Sequence, residues 1–442
     1  MTSRRTFLKR LVGTSFILGT GGLAVATQAR AQQTTEPATT APAAVPVATG
    51  TLEIFSWWTN PGEVEALNAF FDIYRQLYPK VEIINAALAG GTGAGGNMKA
   101  VLKTRMLAGD PPDSFQAHFG LEITDTWGRT GFMEPLDFLY ESEGWNDAFP
   151  KDLIDIVSWD GHPWSVVPNI HRGNVLWYHK DTLSKAGLEA PATFDEYFQV
   201  SSNLKANQMP SLALGEASAG MAGSVFETVL IGTLGVDGYR GLWNGNTSWS
   251  DARVTDALNN FNQMLDNVNP DYLSINWGDT GELLVNNKAA MLINGDWQYG
   301  FFKAKKYADQ IGWVPTPDSK GIFDIAGDSF GLPKGAKNRD NAVNWLKVVG
   351  SLEGQEAFNP LKGSIPARLD GGNSPSYDPY QKQAMQDFKT ATLVPTAAQG
   401  WAAKESWVTD YYNTINYLAT KRDVAGTQKR LIQACSDAGV CS

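Results

Sequence analysis

Between Leu52 and His118 short apolar runs alternate with helical periodicity, and that alternation confines the chain to a layered α/β fold. Leu52-Glu53-Ile54-Phe55-Ser56-Trp57-Trp58 reads as a buried strand. Pro61 and Gly62 turn the chain. Val64, Leu67, Phe70, Phe71, Tyr74 and Leu77 then share one side of a helix that Pro79 stops. Val81 to Asn85 reads as a second strand, about Met98 to Leu107 as a second helix, and Ser114 to His118 as a third strand. Strand, helix, strand, helix, strand is the pattern of a parallel sheet. In open α/β sheets ligands bind beyond the carboxyl ends of the strands. Trp57 and Trp58 stand at that end of the first strand, Gln116 and His118 at that end of the third. The plainer alternative is that these side chains cap the sheet and pack under loops.

The remainder reads as helix-rich. Val254, Leu258, Phe261 and Leu265 fall in register on an amphipathic helix from Asp251 to Leu265. Ala289 to Ile293 reads as a strand, Gly312 to Pro315 as an extended connector and Asn341 to Val349 as a helix. There is no internal repeat. A chain of 442 residues implies two or three domain-sized cores.

Residues 1–31 read as an address. Ser3-Arg4-Arg5-Thr6-Phe7-Leu8-Lys9 is followed by a weakly apolar stretch from Leu11 to Ala26 and by Ala29-Arg30-Ala31. A charged start, an apolar middle and an A-x-A site make an export signal, here of twin-arginine type and cut near Ala31. The alternative, a membrane anchor, fits poorly with Gly13, Gly19, Gly21 and Gly22 in so short a stretch. Residues 32–49, rich in Thr, Ala and Pro, read as a disordered linker. The expected product is a soluble, monomeric protein of the periplasm. Loss of the signal removes five basic residues and leaves 31 basic against 46 acidic, a net of -15. That balance, with no basic stripe, argues against a nucleic-acid partner. Cys435 and Cys441 are close enough in sequence to bridge in an oxidising compartment; two free thiols are the alternative.

Two enzyme-like motifs fail on context. Gly327-Asp328-Ser329-Phe330-Gly331 matches the nucleophile elbow of hydrolases, which needs a downstream His. The four His (His118, His162, His171, His179) all lie upstream. Gly91-Thr92-Gly93-Ala94-Gly95-Gly96 matches the dinucleotide fingerprint, but follows the second strand of its unit rather than the first. There is no P-loop and no Cys/His cluster for zinc, so no cofactor and no metal are expected.

A more informative pattern is Trp with polar neighbours: Trp57-Trp58 with Glu63, Gln116 and His118, then Trp277, Trp297 beside Asp296, Trp401 and Trp407. A pyranose presents C–H faces that pack on indole rings, and hydroxyls that suit carboxylate, amide and imidazole groups. For any single Trp among the 15, a place in the core is the plainer reading.

These residues also carry a family likeness. From Leu52 to about Leu369 the chain resembles bacterial extracellular solute-binding proteins of sugar ABC transporters, above all the glucose-binding (glucose/galactose/mannose) proteins. The matching segments include Leu52 to Trp58, Ala100 to Leu107, Asn169-Ile170-His171-Arg172, Asp328 to Asn338 and Asn359-Pro360-Leu361-Lys362-Gly363-Ser364-Ile365. The resemblance implies two α/β lobes, each a mostly parallel sheet flanked by helices. Three crossings would join them, near Pro168, near Val314 to Pro317 and near Lys362 to Pro366. The N-terminal lobe would be 50–167 plus 314–364, and the C-terminal lobe 168–313 plus 365–442.

The same resemblance implies a non-enzymatic receptor that binds a monosaccharide between the lobes, closes about the hinge and delivers it to a membrane permease. Its implied sugar contacts are Trp57, Trp58, Glu63, Gln116, His118, Trp277, Trp297, Asp328 and Lys362. Gln399 stands where relatives carry His, and can still donate and accept. Glucose is the first expectation, galactose or mannose the next. Two alternatives remain: an oligosaccharide receptor of the same fold, and a secreted glycoside hydrolase using Glu63 and Asp328 as its carboxylate pair.

Overall fold

The computed structural model describes residues 48–89, 95–217 and 220–441. The expected signal, nearly all of the expected linker and most of the Gly91–Gly96 run lie outside the described residues. The opening alternation forms in the order read, though the first strand ends at Phe55 and Val64 and Leu77 of the helix are exposed: β1 (Gly50–Phe55), α1 (Glu63–Leu77), β2 (Val81–Asn85), α2 (Gly96–Leu107) and β3 (Ser114–His118). Helix α1 buries Leu67, Phe70, Phe71 and Tyr74 along one side. Glu65 accepts the Gly62 N–H at 2.5 Å, so the first turn carries acid where the helix dipole favours it. A π-helical segment, Glu122–Gly128, follows β3.

The next strands are short: a hairpin of β4 (Ser158–Trp159) and β5 (His162–Pro163), then β6 (Ser165–Val166), β7 (Asn169–Arg172), β8 (Val175–His179) and β9 (Leu212–Ala213). Helix α3 (Met221–Asn244) and helix α4 (Trp277–Val285) precede β10 (Met291–Ile293) and α5 (Trp297–Ala304). The chain continues through β11 (Ile311–Pro315), β12 (Ile322–Ala326), β13 (Asp328–Gly331), α6 (Leu352–Lys362), β14 (Ile365–Pro366) and β15 (Thr392–Pro395). Helices α7 (Glu405–Lys421) and α8 (Val424–Asp437) come last, and Cys435 of α8 is bridged to Cys441. Among the described residues no helix is long and apolar enough to cross a membrane.

Two sheets form two lobes. The first has the order β2-β1-β3-β13-β6, the second β11-β8-β10-β9. Pairing is parallel for β1 with β2 and β3, and for β10 with β9. It is antiparallel where the chain re-enters a sheet, as β13 does against β3 and β11 against β8. A third sheet, β14-β7-β12-β15, joins the lobes. It sets β7, β12 and β14, three segments far apart in sequence, side by side.

One boundary differs from expectation. Val314 and Pro315 pair with Leu176 and Val175 inside the second sheet. The strand that leads back to the first sheet is β12, ending one residue before β13. The extended connector expected over Gly312 to Pro315 is thus strand β11. Strand β11 is at the edge of its sheet, where a proline is tolerated. Trp407 takes the plainer place in the core: it is 1% exposed and packs with Trp243 and Trp249 in the second lobe.

The start of α1 and the end of α6 meet the middle of α5 backbone to backbone. A Cβ built on Gly300, mid-way along α5, would lie 2.6 Å from the Lys362 carbonyl oxygen and 2.7 Å from that of Leu361. Gly62 (φ +85°) faces the Gly300–Phe301 peptide from the start of α1. Ala in place of a mid-helix Gly normally stabilises by about 1 kcal/mol. For Gly300→Ala we expect the opposite sign, a loss of roughly 1–3 kcal/mol from overpacking against fixed backbone. Urea unfolding checks this, and a gain in stability would refute the close approach.

Candidate functional site

The carboxyl end of β3 supplies the first wall of the site. Gln116 and His118 are two residues apart on a strand and therefore share a face. In the antiparallel ladder Asp328 of β13 stands opposite His118, and Phe330 opposite Gln116. The Gln116 amide donates from Nε2 to Asp328 Oδ1 at 2.7 Å, and its Oε1 accepts the Trp57 N–H at 3.1 Å. The Trp57 ring lies 4.7 Å from the His118 ring, and Lys99 Nζ sits 5.5 Å from its centroid. Gly95, at the start of α2, leaves room for that indole: a Cβ there would lie 2.6 Å from Trp57 Cε3. Behind His118, Glu122 Oε2 is 2.8 Å from Nδ1 and 2.7 Å from Lys99 Nζ.

Trp58 turns the other way. It is 1% exposed and packs on Phe330 and Phe358 in the first lobe. Lys362, at the end of α6, sits 5.5 Å over its ring and 3.5 Å from Glu63 Oε1. Glu63 Oε2 accepts both the backbone N–H of Asn60 (3.2 Å) and its Nδ2 (3.1 Å). Glu63 and Lys362 thus form one buried ion pair at the mouth of α1.

The joining sheet carries a polar relay. Asn169 Nδ2 donates to Asp328 Oδ2 at 3.0 Å, and Asn169 Oδ1 accepts the Asp328 N–H at 2.9 Å. His171, two residues on and also on β7, places Nε2 3.4 Å from Asp328 Oδ2 and bonds Asp296 through Nδ1. Asp296 Oδ2 in turn accepts the Arg172 N–H at 3.0 Å and the Tyr380 hydroxyl at 3.2 Å. One imidazole is therefore held between carboxylates from both lobes. The edge of the His171 ring–Trp297 ring pair is near perpendicular, at 5.5 Å.

These charges are settled by their neighbours. Burial alone would favour a neutral Asp328; hydrogen bonding to His171 and then the charge of Lys362 outweigh it and hold the carboxyl well below its usual range. Burial opposes charge on His171 too, but Asp296 outweighs it and raises the imidazole above its usual value. For Glu122, burial is overcome by Lys99 and then His118, which hold the carboxyl at about 2.

The expected site residues fall into three groups. Trp57, Gln116, His118 and Asp328 touch one another directly, and Glu63, Lys362 and Trp58 form a second set. Trp297 reaches Asp328 through His171. Trp277 and Gln399, both half-buried, approach through their neighbours. Gly278 lies against Asn60, a Cβ there being 2.5 Å from Asn60 Oδ1. The Gly400 carbonyl accepts the Glu122 N–H at 2.9 Å, and Trp401 packs edge-on to Phe119 at 5.5 Å. Ser329 lies within strand β13 and donates to the Ala117 carbonyl at 3.2 Å, with none of the strand–turn–helix context a nucleophile elbow needs.

Four polar residues of the site were not singled out from sequence as site residues: Lys99, Glu122, Asn169 and His171. The alternation of Asn169 and His171 along a strand was a usable signal, since it puts two polar side chains on one face of an interior segment.

The carboxylates set an acid limit on stability. Glu122 titrates near 2 in the folded chain and near 4.5 when unperturbed, so its contribution is present above pH 4.5 and is lost as pH falls towards 2. Asp328 has the same sign. His171, being raised, contributes below its unfolded value and loses that contribution as pH rises through the folded one. We expect the urea unfolding free energy to fall between pH 5 and pH 3, and the fall to be shallower in Glu122→Gln by about 2 kcal/mol across that range. Equal acid slopes in the two proteins would contradict the assignment.

With the geometry in place, comparison with known proteins is direct. Residues 58–356 match the family model described as bacterial extracellular solute-binding protein. An uncharacterised ABC transporter extracellular-binding protein of Pyrococcus horikoshii is 35% identical over 387 residues, covering 87% of each chain. The probable sugar-binding periplasmic protein of Brucella suis is 29% identical over 365 residues, 79% of this chain and 83% of that one. Among solved structures, the bacterial solute receptor AcbH, described as having an exclusive preference for β-D-galactopyranose, superposes with a TM-score of 0.76. It covers 88% of this chain and 99% of its own, at 17% identity, a likeness of fold. The proteins matched are receptors rather than enzymes, and this chain belongs to the bacterial extracellular solute-binding protein family.

Proposed function

We propose that the chain is the sugar receptor of an ABC importer, exported to the periplasm, and that it binds an aldohexose between its lobes. Glucose is the first candidate, with galactose and mannose next. The observation that carries this is the joined set Trp57, Gln116, His118 and Asp328, in which an indole stands beside three planar hydrogen-bonding groups at the strand ends where the lobes meet. Relatives named as sugar-binding and as ABC transporter binding proteins support the same reading.

In this reading Trp57 and Trp297 pack on the C–H faces of the ring, with Trp58 and Trp277 at its margins. Asp328, Glu63 and Lys362 take hydroxyls through charge-assisted hydrogen bonds. Gln116, His118 and Gln399 complete the polar set. Ligand contacts from both lobes favour the closed arrangement by their differential affinity for it, and a membrane permease receives the closed, loaded receptor. The chain acts as a monomer, and the sheet shared by β7, β12 and β14 is its hinge.

Calorimetric titration of the mature protein against a panel of monosaccharides and disaccharides tests this. We expect saturable heat with at least one aldohexose, and a melting temperature that rises with its concentration. Asp328→Asn should weaken that binding about 100-fold or more, because charged hydrogen bonds are lost in a dry site. No response to glucose, galactose or mannose at millimolar concentration would refute the monosaccharide reading, and heat with disaccharides alone would point to a longer ligand.

A further inference from the structure

The strongest unassigned group near the cleft is Glu122. Its side chain is buried, 2% exposed, and faces the Nδ1 edge of the His118 ring. Three donors converge on its carboxylate: His118 Nδ1 at 2.8 Å, the His118 backbone N–H at 3.2 Å and Lys99 Nζ at 2.7 Å. Lys99 at that distance balances the charge, so the group is a carboxylate and can only accept. The ring nitrogen that faces it must then carry a proton. In a neutral imidazole this leaves Nε2 as a bare lone pair, pointing away from Glu122.

We propose that Glu122 is a positioning residue for the sugar site: it fixes His118 in the Nδ1–H tautomer, so that Nε2 meets the ligand as an acceptor and selects a hydroxyl that donates. This rests on the reading of His118 as a sugar contact. Local structure suits the role. Glu122 is the first residue of the π-helical segment Glu122–Gly128, and such turns recur at functional sites. Its own N–H, free of the helix at that position, donates to Gly400 O at 2.9 Å.

Glu122 also seats the loop that carries Gln399. Gly400 has φ +76°, and a Cβ there would lie 2.7 Å from Glu122 Oε2. The loop can approach the carboxylate only because residue 400 has no side chain. Glu122 therefore touches His118 on one lobe and the neighbour of Gln399 on the other. Both residues are proposed to read the same ligand.

The test has two arms. Nitrogen-15 NMR of the imidazoles reads which ring nitrogen of each carries a proton without any sugar, and the His118 signals are identified by their loss in His118→Gln, since the chain has only four His. We expect Nδ1–H in the parent protein. In Glu122→Gln the amide oxygen is claimed by Lys99, its NH₂ faces Nδ1, and His118 should shift towards Nε2–H. Binding of the best aldohexose should weaken about tenfold or more in Glu122→Gln. It should weaken no further when that change is added to His118→Gln. Glu122→Asp, which keeps the carboxylate, should retain the Nδ1–H signal.

An Nε2–H tautomer in the parent protein would overturn the proposal, as would an unchanged tautomer in Glu122→Gln. Additive losses in the double variant would do the same, because they would show a structural effect independent of His118. If the parent protein binds none of the sugars, the proposed function fails, and the tautomer still decides the role of Glu122.

Discussion

A carboxylate taken out of water must be met by donors and by opposite charge, and the arrangement of this protein turns on how Asp328 is met. It stands at the first residue of β13, where the chain has just left the joining sheet for the first lobe. Gln116 reaches it from β3, Asn169 and His171 from β7, and Lys362 contributes charge from the end of α6. Those four residues come from parts of the chain that are adjacent only in the folded protein. Satisfying one acid thus fixes the register of β3 against β13 and the meeting of the joining sheet with the first lobe. The same acid faces the place where the lobes come together. A single desolvated charge sets both the architecture and the chemistry of the site.

Legibility from sequence followed the range of the interactions. The alternation from β1 to β3 is local, carried by apolar spacing and by prolines at element ends, and its boundaries are within a few residues of expectation. Trp57, Gln116 and His118 could be placed at strand ends for the same reason. Strands of two residues such as β6 and β9 offer no periodicity to read. Glu122 was within reach, four residues after His118, but a lone Glu has no pattern of its own. The pairing of His171 with Asp296 spans 125 residues, and nothing in either local sequence announces it. Lys362 became a candidate through family resemblance, where spacing alone was silent. The extended connector expected at Gly312 to Pro315 is an edge strand, and extended backbone ending in a proline reads alike in one dimension in either case.

The aromatic content divides by packing. Trp243, Trp249, Trp407 and Tyr411 interlock in the second lobe with ring centroids between 5.3 and 6.5 Å, mostly edge to face. Trp345 does similar work in the first lobe with Phe70, Phe71 and Phe330. The rings near the cleft keep different company. Trp57 has Lys99 and His118, and Trp297 has His171. Whether a Trp serves the core or a site is decided by its neighbours, and those neighbours are set by tertiary structure.

The joining sheet has a mechanical consequence. Lobes linked by one strand could turn about it in any direction, and every such turn would have to be frozen out on closing. Here β7, β12 and β14 are tied edge to edge by ladder hydrogen bonds. A sheet of this kind flexes out of its plane far more readily than it shears within it. In the proposed hinge the lobes would then move as two leaves on a common spine, with one soft direction of travel. Little orientational freedom would be surrendered on closing, and more of the contact energy would be left to hold what lies between the leaves.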